Sequence, residues 1–147
     1  MKAGGTWFYY IAGLSIVNSI LFWAGSTWAF VIGLGITDAA NAIGRDVITG
    51  TTGTAIAIIF DIAVAGGFAG IGYLARKGIG WAFIVGMVVY LLDGLLLVWV
   101  TDWLSVAFHA LALFYIFRGF QASRALRAQS APPPAAPTGI APPIVPR

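Results

Sequence analysis

The chain has no cysteine and no glutamate, and its seven prolines all fall within the last sixteen residues. Without cysteine there are no disulfides, thiolate metal sites, iron–sulfur ligation, covalent haem attachment or cysteine nucleophile. Charge is equally scarce, at 9% of 147 residues, against roughly 25% in an ordinary soluble domain. With 60% of its residues hydrophobic, such a chain cannot cover itself with a solvated surface, and the composition implies a lipid bilayer. The length allows about four or five spanning helices of ~20 residues each, with no room for a soluble catalytic domain beside them. The eight Lys and Arg are scattered at segment ends and form no basic run. They read as topology signals, and no nucleic-acid partner is expected.

Five apolar stretches are present: Trp7 to Ala24, Trp28 to Ile43, Thr54 to Ala75, Trp81 to Thr101 and Trp103 to Phe117. The N-terminal stretch resembles a signal peptide in outline. Its length, and the bulky Trp23 beside any cleavage site, favour an uncleaved anchor. The second stretch is interrupted by Thr37, Asp38 and Asn41, and its clean apolar run, Trp28 to Thr37, is ten residues. That is about half a span. If it does not cross, Lys2, Arg76, Lys77, Arg118, Arg124 and Arg127 all share one side, leaving only Arg45 opposite, outweighed by Asp38 and Asp46. The positive-inside rule therefore predicts four spans, both termini cytoplasmic, with residues 28–45 re-entrant or interfacial. A five-span chain is the rival topology. All six tryptophans sit at segment ends, as indole belts do. The expected fold is an all-α polytopic bundle with spans near 7–24, 54–75, 81–101 and 103–118. A Pro/Ala-rich disordered tail is expected over 121–147.

Intramembrane polar residues are costly and mark candidate sites. Four stand out: Asn18, Asp61, Asp93 and His109. In the four-span topology each lies roughly 9–12 Å below the outer boundary, at ~1.5 Å per helical residue. They are expected to form one polar layer, with Asp38, Asn41, Arg45 and Asp46 as a lid above it. Two carboxylates and an imidazole in such a layer suit a cation or a proton; equally, they suit interhelical hydrogen bonding that fixes packing. The chain has one histidine, so bis-His haem cannot form within it, and both lysines lie at helix ends, away from any Schiff-base position. No cofactor or resident metal is expected, and no nucleophile–base pair points to an enzyme.

Two further patterns recur. Trp28-Ala-Phe-Val-Ile-Gly33 matches Trp81-Ala-Phe-Ile-Val-Gly86, a weak internal repeat. Gly66 and Gly70 form a GxxxG, with Ala63 and Gly67 beside it; packing within the bundle is the first expectation and a homo-oligomer face the second.

Trp81-Ala-Phe-Ile-Val-Gly-Met, Tyr90-Leu-Leu-Asp-Gly and Asp102-Trp-Leu-Ser-Val-Ala-Phe-His109 resemble a set of small bacterial inner-membrane proteins with no assigned activity. The resemblance spans roughly residues 7–120 and implies a bacterial cytoplasmic membrane location without a mechanism. The leading expectation is a structural or accessory subunit packing with itself or with a larger membrane complex. The alternative is a small ion- or proton-handling transporter or channel.

Overall fold

A computed structural model describes residues 2–27 and 33–129. Among these residues the protein is all-helical: α1 (Lys2–Trp23), α2 (Gly35–Asp46), α3 (Gly50–Arg76), α4 (Gly80–Trp99) and α5 (Trp103–Gln129). Four of them, α1, α3, α4 and α5, are long and apolar enough to cross a membrane. They form a ring in which α1 packs on α3 and α5, and α4 on α3 and α5, while α2 lies against α3, α1 and α4.

The helix ends follow local chemistry. At three of them the chain closes with a residue in the left-handed region: Gly25, Gly78 and Thr101. In each case the following N–H reaches back to a carbonyl of the last turn: Ser26 to Leu21, Ile79 to Leu74, Asp102 to Leu97. This satisfies carbonyls that no helical N–H can reach and turns the chain tightly.

The second apolar stretch does not span. α2 has 12 residues, about 18 Å at ~1.5 Å per residue. Just before its start, the Leu34 N–H donates to Ser15 Oγ at 2.8 Å. Ser15 is eight residues from the end of α1 at Trp23, roughly 12 Å along the helix. At the far end of α2, Gly44 abuts Gly53, in the first turn of α3. The chain thus leaves α1 at one end, is back inside the bundle at Leu34, and climbs out along α3. Gly44 and Gly53 allow this close approach, since a Cβ on either would collide with the other's backbone. Gly4 and Gly119 play the same part between α1 and α5.

One face of α3 is buried, at Ala57, Asp61, Ala65, Phe68, Gly72 and Ala75, the spacing of a single helical stripe. Phe8, Phe68, Phe83 and Tyr90 pack along the ring's interior. Gly66 and Gly70 are out of phase with this stripe. A Cβ at Gly66, Gly67 or Gly70 would meet none of the described residues within 4 Å, so the GxxxG does not serve packing among the described helices. Gly72, two residues past Gly70 but in phase, lies against Phe8 and Gly5 instead.

The last helix also runs further than expected. Residues 118–129, RGFQASRALRAQ, stay helical to Gln129, so the non-helical tail does not begin at 121. This segment is rich in Ala, Leu, Arg and Gln, all strong helix formers, and proline first occurs at 132. The Pro-rich tail and most of the first WAFxxG copy lie outside the described residues.

Candidate functional site

Asn18, Asp61, Asp93 and His109 are all buried, each 7% exposed or less. Asp93 and His109 meet directly: His109 Nε2 lies 2.9 Å from Asp93 Oδ2. His109 Nδ1 is 2.8 Å from the Ser105 carbonyl. A carbonyl only accepts, so Nδ1 carries hydrogen. Nε2 and the Asp93 carboxylate then hold one further proton between them. Tyr90 stacks on the imidazole, centroids 4.2 Å apart.

Asp93 has a second task. The Gly35 N–H donates to its Oδ2 at 2.9 Å and the Ile36 N–H to its Oδ1 at 2.8 Å. These are first-turn donors of α2, which has no cap from its own side chains. A helix start placed inside a bilayer cannot leave such donors bare. Asp93 therefore caps α2 from a neighbouring helix, its carboxyl oxygens set at the positive end of the helix dipole. That end is consequently filled by an internal carboxylate.

Asp61 is different. It is 1% exposed, and neither carboxylate oxygen has a hydrogen-bond partner among the described residues. Ser19 and Asn41 stand beside it as its nearest hydrogen-bonding neighbours, and each also has a bond to another group. The Ser19 hydroxyl donates to the Ser15 carbonyl at 3.1 Å. The Asn41 amide donates to Ser19 Oγ at 3.1 Å, and its oxygen accepts from the Trp23 indole at 2.8 Å. Asp61 lies at the base of a groove of 410 Å³ between α1 and α3, lined also by Ile16, Ser19, Ile20, Trp23, Ile58 and Ile62. A second groove of 330 Å³, between α3 and α4, carries Asp93.

The expected lid separates into parts. Asn41 is not above the layer but inside it, fully buried. An amide can replace water for neighbouring polar groups, and the amphipathic α2 turns it inward. Asp38 has accessible surface, yet the surrounding helices thin the solvent around it. That desolvation, and then the Asp61, Asp93 and Asp102 carboxylates, push its pKa up to about 6. Arg45 and Asp46 are exposed and pair with each other at 2.9 Å, with Arg45 over the Phe22 ring. They do not reach the buried acids.

Sequence reasoning missed Ser15, Ser19, Ser105 and Trp23 as partners. In an apolar run serine reads as a small residue, and only the fold shows which carbonyl or N–H it meets. Among the described residues no group of three or more His, Cys, Asp or Glu could hold a metal ion. No family model matches the chain, and no curated protein and no solved structure is detectably similar to it.

Proposed function

We infer that this small integral membrane protein handles protons or monovalent cations, with Asp61 as the working acid and the α2 end of the bundle as its access side. The observation that carries this reading is the buried Asp61 carboxylate without a hydrogen-bond partner among the described residues. Polar residues kept for packing are hydrogen-bonded across helices, as Asp93 and His109 are. An ionised carboxylate left alone in an apolar environment costs several kcal/mol, and a proton or a cation relieves that cost. A half-length helix entering and leaving by one end also suits proteins that line a polar path, because irregular backbone at membrane depth must be buried or face a cavity. The positive-inside rule orients Lys2, Arg76 and Lys77 toward the cytoplasm, with α2 facing out. A bacterial inner membrane is proposed with this reading.

The test is flux. Protein reconstituted into liposomes holding a pH-sensitive dye is challenged with a pH gradient or a potassium diffusion potential. Wild type is expected to dissipate the gradient faster than protein-free vesicles, and Asp61→Asn is expected to abolish the difference. No flux above empty vesicles would refute the reading.

A second reading keeps the protein as a packing subunit for itself or a larger membrane complex. Its support is the open small-residue face of α1 and α3, where a Cβ at Gly13, Gly66, Gly67 or Gly70 meets none of the described residues within 4 Å. Small residues allow close helix approach in lipid. Native mass spectrometry of wild type against Gly66→Leu/Gly70→Leu tests it: a dimer or heteromer lost in the variant supports it, and a monomer throughout rejects it.

A further inference from the structure

The groove above Asp61 has a composition that selects among cations. Four of its seven lining residues are isoleucines, and Trp23, the last residue of α1, is another. Its accessible surface is almost wholly apolar, with Asp61 and Ser19 among its lining residues and the Asp61 carboxylate oxygens enclosed just beneath. An inorganic cation must exchange its hydration shell for about six oxygen ligands. Here there are two carboxylate oxygens and a hydroxyl already shared with Asn41 and the Ser15 carbonyl. An ammonium or phosphonium ion with apolar substituents makes no such demand. It needs apolar walls, an aromatic face and a single counter-charge. The volume of 410 Å³ falls in the range of small-molecule sites, about 300–1,000 Å³. The rim residues Ile20 and Ile62 are 63% and 60% exposed, so the groove opens sideways between α1 and α3, from the side where lipid lies.

We propose that the α1–α3 groove binds an apolar monovalent organic cation, with the Asp61 carboxylate as its counter-charge. The α3–α4 groove does not share this property, although it too contains an aspartate. Asp93 there already holds two backbone N–H groups and His109. This proposal rests on reading Asp61 as the working acid and names the chemical class the site accepts.

The experiment uses full-length protein in lipid nanodiscs and the probe tetraphenylphosphonium, with binding measured by equilibrium dialysis. Wild type is expected to show one saturable site above protein-free nanodiscs. Asp61→Asn is expected to bind about tenfold more weakly or worse, the loss of the counter-charge beneath the groove, while Asp61→Glu retains binding. Ile62→Trp, which fills the groove and keeps the carboxylate, is expected to abolish binding even if Asp61→Asn proves hard to purify. Tetraphenylborate, of similar shape and opposite charge, is expected not to saturate. Equal affinity in wild type and Asp61→Asn, or no saturable binding in wild type, would overturn the proposal. The two claims separate cleanly: Asp61-dependent proton flux without phosphonium binding removes this inference and keeps the function, whereas phosphonium binding without any flux does the reverse.

Discussion

Two buried aspartates, Asp61 on α3 and Asp93 on α4, stand on either side of the same half-length helix, and they live in opposite circumstances. Asp93 accepts from Gly35, from Ile36 and faces His109. Asp61 has no hydrogen-bond partner among the described residues. Both are nearly inaccessible, so burial does not distinguish them; hydrogen-bond satisfaction does. Asp93 replaces the water that the start of α2 would otherwise need, and the fold depends on it. Asp61 makes no comparable bond among the described residues, with Ser19 and Asn41 only standing beside it, and its presence calls for an explanation outside packing.

The comparison can be broken most forcefully at Asp93. Asp93→Ala leaves two helix N–H groups and an imidazole bare inside the bundle, and a loss of about 3 kcal/mol or more is expected from breaking such a buried pair. Unfolding in mixed micelles with a denaturing detergent measures it. Next comes the seat of α2. Gly53→Leu forces a side chain into the Gly44 backbone and is expected to cost about 1–3 kcal/mol. Cysteine labelling at Ala40 should report α2 lifting away from α3; unchanged labelling and stability would show that the close approach is dispensable. Trp23→Phe removes one hydrogen bond to Asn41, an expected loss of about 0.5–1.5 kcal/mol, visible in the same unfolding assay. The smallest effect is on pH dependence. The folded state holds the Asp38 proton more tightly than the ordinary value of 3.8, up to about 6. Its contribution to stability is therefore full below about pH 4 and lost as pH rises through 6. Melting curves across that window should slope downward with pH in wild type and flatten in Asp38→Asn.

Much of this architecture was legible in the chain. Long apolar runs gave the four crossing helices, and the placing of Arg76, Lys77 and Arg45 argued that the second run turns back. The polar residues were legible as a depth but not as a direction. Counting ~1.5 Å per residue along a helix gives height and says nothing of which neighbour a side chain faces. Asp61 and Asp93 therefore looked equivalent, and Asn41 looked like part of a lid. The GxxxG was misleading for the same reason: Gly66 and Gly70 have the right spacing, yet lie one step off the Ala65–Phe68–Gly72 stripe that faces the bundle. The extension of α5 past Arg118 was hidden by polarity, which ends a span without ending a helix.

The most direct measurement sets Asp61→Asn beside Asp93→Asn in one detergent, by reversible unfolding. The account predicts that Asp61→Asn leaves stability unchanged or raises it, because a buried charge without a partner is removed, while Asp93→Asn lowers it. Equal losses in both variants, or a larger loss at Asp61, would show that Asp61 is also part of the packing and would contradict the account.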